Sequence, residues 1–189
     1  MTKTSESPQT ANPYSTPDPQ APTPTSPSHR RRRVALFFLL GTLGCAADLV
    51  TKQWVFAALG TPPESKIYWI WEHFFALETS INRGALFGMG QGQVGLFAAI
   101  SVVALMGIFY WVFRGGAVEC WLTTLALGGI LGGVLGNLYD RLGWWGQVGV
   151  RDWIRVSYYE HVWPNFNIAD SLLVCGAALL MWHAFRTPA

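Results

Sequence analysis

The chain is 189 residues long, which suits one compact domain and not two. Its residues are 51% hydrophobic and 13% charged, against about 25% charged in soluble domains, so the composition is that of a membrane protein. A net charge of +2 is too small to suggest a nucleic-acid partner.

Residues 1–29 hold seven of the eleven prolines among Ser, Thr and Gln. A segment with so little apolar surface cannot offset its ordering entropy, and a disordered tail is expected there. Residues 30–189 form the single membrane domain. Four apolar runs follow the tail, over about Val34–Ala58, Val94–Phe113, Cys120–Leu138 and Ile168–Phe185. Each approaches the roughly 20 residues that a helix needs to cross a hydrocarbon core. Helices are expected because the backbone has no water to bond there. Leu43-Gly44-Cys45 also resembles a lipoprotein leader with its cleavage-site cysteine. Against that parsing, the apolar run continues past the cysteine and three more follow.

Arg30, Arg31, Arg32 and Arg33 precede the first run and place the N-terminus in the cytoplasm by the positive-inside rule. Four crossings then put Arg114 and Arg186 inside as well. Trp111, Trp121 and Trp182 fall near the inner boundary, and Trp54, Trp144 and Trp163 near the outer one. Two outer segments remain, roughly 59–93 and 139–167. The first contains KIYWIWEHFFALETS, which reads as a strand pair or a membrane-surface element. In the third run Gly128, Gly132 and Gly136, with Gly129 and Gly133, form small-xxx-small repeats that let backbones approach closely. That helix is expected at the centre of the bundle. Cys45, Cys120 and Cys175 lie in or beside apolar runs without metal-ligand spacing, and read as small core residues.

Apart from Asp18 in the tail, every aspartate lies inside or against an apolar segment. An acid in or beside a bilayer is costly and marks a functional-site hypothesis. With the topology above, Asp48, Lys52, Asn82, Asn137, Asp140, Arg141, Asp152, Asn167 and Asp170 converge on the outer side from distant parts of the chain. Each has a plainer reading. Asp48 and Lys52, four apart, suit a buried pair that fixes helix register. Asp140 and Arg141 suit interfacial anchors at a helix end. Asp170 suits a first-turn acid favoured by the helix dipole, and Asp152 a loop acid. Two carboxylates held close cannot both ionise cheaply, so they share a proton and suit general acid–base chemistry. No Cys/His cluster offers a metal site, and no His lies beside a Ser box; His73 and His161 read as interfacial. No cofactor is needed.

Asp48-Leu49-Val50-Thr51-Lys52, Asn82-Arg83-Gly84-Ala85-Leu86-Phe87, Gly132 to Arg141, Val150-Arg151-Asp152-Trp153-Ile154 and Phe166-Asn167-Ile168-Ala169-Asp170 together resemble the five boxes of lipoprotein signal peptidase, or signal peptidase II. They stand in that family's order and spacing across about 34–185. Leu86 stands where the family usually has a small residue, and Trp153 where phenylalanine is usual. The resemblance implies an all-α membrane fold of four transmembrane helices with a small β-rich cradle on the outer surface. It implies an intramembrane aspartyl endopeptidase that cuts prolipoproteins just before the diacylglyceryl-modified cysteine. By that pattern Asp152 and Asp170 are catalytic, and Asn82, Gly84, Asn137, Arg141 and Asn167 line the substrate pocket. Asp48, Lys52 and Asp140 support the fold. Expected partners are prolipoprotein substrates and membrane lipid, the working unit a monomer, and the location the bacterial cytoplasmic (inner) membrane.

A proton-coupled carrier is the rival reading, since intramembrane Asp and Arg also make proton relays. A carrier would show internal repeats and midplane charges. Here the charges gather at one edge and no repeat is visible.

Overall fold

The computed structural model describes residues 26–84 and 90–186. The expected tail up to residue 25 and the unusual Leu86 lie outside them. Four helices are long and apolar enough to span a membrane: α1 (Pro27–Leu59), α2 (Val94–Phe113), α3 (Trp121–Arg141) and α4 (Ile168–Arg186). A four-stranded antiparallel sheet accompanies them, with β1 (Ile67–Trp71), β2 (Phe75–Asn82), β3 (Val150–Tyr158) and β4 (His161–Val162) in that order.

Three boundaries differ from the sequence reading. Helix α1 takes in residues 27–29, assigned above to the tail, because Pro27 starts a helix well where its missing N–H is not needed. Helix α3 runs on through Asp140 and Arg141. The segment 150–158, read as part of a loop, is a strand. Its Val, Ile and Tyr suit a pleated surface, and it pairs with β2 from Phe75↔Val156 to Asn82↔Val150.

Helix α3 is the centre of the bundle, packed against α1, α2 and α4. Its glycines explain the closeness. A Cβ at Gly132 would stand 3.0 Å from Gly41 O and 3.1 Å from Gly44 Cα, so α1 and α3 meet backbone to backbone. A Cβ at Gly133 would strike the side chain of Leu173 on α4. Around this contact Phe37, Ile108, Val112, Val118, Leu127, Leu131 and Val134 form the buried apolar cluster. The remaining faces carry exposed Val50, Leu96, Ile100, Val103, Met106, Val174 and Met181, as helices immersed in lipid do. Cys175 is among the exposed positions, not the core. It lies on the outward face of α4, one residue before the buried Gly176.

The two ends of the bundle differ. At one end Arg30 Nη2 donates to Phe113 O at 3.2 Å and Arg33 Nη1 to Val118 O at 3.1 Å and to Glu119 O. These bonds tie the basic start of α1 to the α2–α3 connection. At the other end α1 and α3 run into the sheet, and α2 and α4 leave it. The sheet therefore stands at the same end as all nine polar residues singled out above.

Candidate active site

Five elements build the site, α1, α3, α4, β2 and β3. Helix α4 begins with a reciprocal cap: Asn167 Oδ1 accepts from Asp170 N at 2.9 Å, and Asp170 Oδ2 accepts from Asn167 N at 3.2 Å. This is the capping-box arrangement, with an acid three residues after the cap. It fixes Asp170 in the first turn, where the helix dipole also favours an acid. Asp170 Oδ1 accepts from Asn137 Nδ2 of α3 at 2.8 Å.

Asp152 comes to the same place on β3. Phe166 bridges to that strand, its carbonyl accepting from Trp153 N at 3.0 Å and Ile154 N at 2.8 Å. The bridge brings Asn167 beside Asp152, and Asn167 Nδ2 donates to Asp152 Oδ1 at 2.6 Å. Asn82, at the end of β2, also hydrogen-bonds Asp152. Burial, and then the neighbouring Asp170 carboxyl, push Asp152 up to about 8; Lys52 and the two asparagine bonds act the other way. At neutral pH this carboxyl keeps a proton.

Behind the two aspartates lies a buried ionic cluster. Lys52 Nζ donates to Asp48 Oδ2 at 2.6 Å and to Asn137 Oδ1 at 2.9 Å, and stands 3.2 Å from Asp140 Oδ2. An ammonium only donates, so it turns the oxygen of Asn137 toward itself and the amide nitrogen toward Asp170. Asp48 Oδ1 accepts from Ala169 N at 2.9 Å, which binds α1 to the start of α4. Asp140 accepts from Arg151 through Nη2 at 2.8 Å, Nε at 3.1 Å and the backbone N at 2.9 Å. Two buried acids thus face two buried cations, the condition under which buried charge is tolerable.

The residues expected from the sequence are all at this end, in different settings. Asp48, Lys52 and Asp140 are wholly buried and paired. Asn137 and Asn167 are buried with their amides engaged by protein groups. Asn82 Oδ1 accepts from Gly84 N at 2.9 Å, turning the chain where it leaves the sheet. Arg141 is different. Its guanidinium carbon lies 5.9 Å from the centre of the Phe97 ring, and among the described residues its N–H groups have no hydrogen-bond acceptor. Trp153 is half-buried with its Nε1 shielded and without an acceptor among the described residues.

Arg151 was not singled out from the sequence. Nothing local marks it, because its partner Asp140 is on another element and its neighbour Asp152 has the more conspicuous chemistry. The one available signal was an arginine inside an apolar β-type run, which must find a carboxylate if that run is buried.

Comparison with known proteins gives the family and the fold. A family model described as signal peptidase (SPase) II matches residues 40–186. A lipoprotein signal peptidase of Rhodopirellula baltica is 47% identical over 184 residues, covering 89% of this chain and 82% of its own. One from Rhodococcus jostii is 34% identical, covering 87% and 79%. Among solved structures, a bacterial membrane enzyme determined by the in meso method at 2.3 Å resolution superposes with a TM-score of 0.70. It is 24% identical and covers 81% of this chain and 89% of that one, which speaks for the fold. With five boxes in order, four spanning helices and this family match over most of its length, the chain belongs to the signal peptidase II family.

Proposed function

We propose that this chain is an aspartic endopeptidase that removes the signal peptide from diacylglyceryl-modified prolipoproteins, cutting just before the lipidated cysteine. The observation that carries it is the buried side-chain amide of Asn167, which joins the Asp152 carboxyl to the backbone N–H of Asp170. Relatives called lipoprotein signal peptidase support the substrate class.

Asp152 holds a proton at neutral pH, and the two carboxyls divide the acid and base roles between them. The ionised carboxyl takes a proton from a water molecule as its oxygen attacks the scissile carbonyl carbon. The protonated carboxyl donates to the carbonyl oxygen as charge develops there. Collapse of the tetrahedral intermediate breaks the C–N bond, and the proton taken from water passes to the departing amine. Arg141, whose N–H groups have no acceptor among the described residues, is suited to hold a substrate carbonyl beside the lipidated residue. Asn82, Asn137 and Asn167 orient the carboxyls, and the lipid anchors the substrate, since each buried CH₂ contributes about 0.8 kcal/mol. Neither a metal nor a cofactor takes part.

The enzyme works as a monomer in the bacterial cytoplasmic membrane, with both termini cytoplasmic and the sheet end at the outer leaflet. Arg30–Arg33, Arg114 and Arg186 at the opposite end support that orientation. Reporter fusions after Arg114 and Arg186 should read as cytoplasmic and a fusion at Gly149 as external; a cytoplasmic Gly149 would reverse it.

The deciding assay uses purified protein in detergent with matched synthetic peptides, one carrying the diacylglyceryl cysteine and one lacking it. Cleavage before the cysteine of the lipidated peptide alone, abolished by Asp152→Asn and by Asp170→Asn in folded protein, is the expected result. Equal rates on both peptides, or near-normal turnover by either variant, would overturn the reading.

A further inference from the structure

We infer that Arg151 is a positioning residue, whose clamp on Asp140 sets where Asp152 stands relative to Asp170. This rests on the functional reading above. Arg151 immediately precedes Asp152 on β3. Its backbone N–H donates to Asp140 Oδ2 at 2.9 Å, while Nε and Nη2 donate to Asp140 Oδ1 at 3.1 and 2.8 Å. Main chain and side chain of one residue thus grip both oxygens of one carboxylate. A guanidinium is a rigid planar fork, so the grip fixes rotation as well as distance. Nη1 reaches Gln53 Oε1 of α1 at 3.3 Å, and the guanidinium carbon lies 5.0 Å from the Trp145 ring centre. Alternate residues of a strand project to opposite sides, so anchoring Arg151 leaves Asp152 little freedom to slide or turn.

Asp140 is also where a second limb begins. Its Oδ2 stands 3.2 Å from Lys52 Nζ, which donates to Asn137 Oδ1, whose Nδ2 donates to Asp170 Oδ1. One limb runs from Asp140 through Arg151 to Asp152, the other through Lys52 and Asn137 to Asp170. The separation of the two aspartates is therefore set from a single buried carboxylate at the end of α3. Arg151 is itself buried and acts through its neighbours, not by touching substrate.

The test is steady-state cleavage of the diacylglyceryl peptide by the full chain in detergent, well below each variant's unfolding temperature. Arg151→Met keeps length and packing against Trp145 but removes the fork. Its kcat should fall about 10–100-fold, as a displacement of ~1 Å at reacting groups does, with KM within about twofold, the substrate-contacting groups being untouched. Arg151→Lys should recover part of the loss. Adding Asp140→Asn to Arg151→Met should cost less than Asp140→Asn alone costs the wild type, because only the Lys52 limb is then left to lose. Wild-type kcat in folded Arg151→Met, a rise in KM at constant kcat, or additive losses would overturn the inference. If Arg151→Met does not fold, Arg151→Lys decides: a loss confined to kcat supports the clamp, and an unchanged kcat overturns it. Normal cleavage by wild type and Arg151 variants alike overturns this inference alone, whereas no cleavage by wild type overturns the functional reading and this inference with it.

Discussion

Asn167 donates its amide Nδ2–H to Asp152 Oδ1 at 2.6 Å while the oxygen of the same amide accepts from Asp170 N at 2.9 Å. One side chain therefore both caps the helix turn that carries Asp170 and holds the Asp152 carboxyl of another element. The capping function and the bridging function are separable by substitution.

Asn167→Ser should separate them. Serine caps a helix about as well as asparagine, so stability should stay within about 1 kcal/mol of wild type. The shorter side chain cannot reach Asp152, and kcat should fall about tenfold or more, as it does when a positioning hydrogen bond is lost. Thermal unfolding in detergent together with peptide cleavage checks both halves; a loss of stability with unchanged kcat would contradict it.

The proton on Asp152 predicts how stability depends on pH. Its folded value is about 8, whereas an unfolded aspartate titrates near the usual 3.9 or so. Between those values the folded state binds the extra proton, so wild-type stability falls as pH rises from about 4 to 8. Asp152→Asn removes this penalty. The variant should be inactive yet more stable than wild type, by a margin that widens by a few kcal/mol from pH 5 to pH 8. Unfolding temperatures of both proteins at the two pH values test it. Cleavage by wild type should also decline above about pH 8, where the shared proton leaves.

Lys52 joins Asp48, Asp140 and Asn137. Lys52→Met leaves two buried carboxylates short of a cation and should cost about 3–5 kcal/mol, the usual penalty for breaking a buried pair. Adding Asp48→Asn should recover part of that loss, because one uncompensated charge is removed with it. Unfolding of the single and double variants gives the coupling directly, and purely additive losses would show that the pair is not a unit.

Two helix glycines should respond oppositely to alanine. A Cβ at Gly136 would collide with the Asp48 carboxylate, which also holds Lys52 and Ala169 N. Gly136→Ala should therefore lower both stability and cleavage. A Cβ at Gly107 meets nothing within 4 Å, so Gly107→Ala should be neutral or stabilise α2 by up to about 1 kcal/mol through backbone entropy. Unfolding and activity of the two variants side by side test the contrast.

The four spans and the central place of α3 were legible in the chain alone, and the segment 66–80 read as either a strand pair or a membrane-surface element. A bilayer leaves the backbone no partner except itself, so an apolar run of sufficient length has one solution. Glycines four apart on one face announce a close approach before any partner is known. The convergence of Asp48, Asp140, Asp152 and Asp170 on one end followed from counting crossings, and Asn82, Asn137, Arg141 and Asn167 came with it.

Only the tertiary structure decided how those residues are wired. Asp152 read as a loop acid and stands on β3, because that strand exists through pairing with Phe75–Asn82, far back in the chain. Asp48 reads locally as the partner of Lys52, yet its other oxygen holds Ala169 N, 121 positions away. Arg151 carried no local mark and grips the carboxylate through which both aspartates are tied. Periodicity and length report on neighbours along the chain and on the solvent they meet. A hydrogen bond between distant residues depends on the relative placement of whole elements, and in this protein the spacing of the two aspartates depends on such bonds.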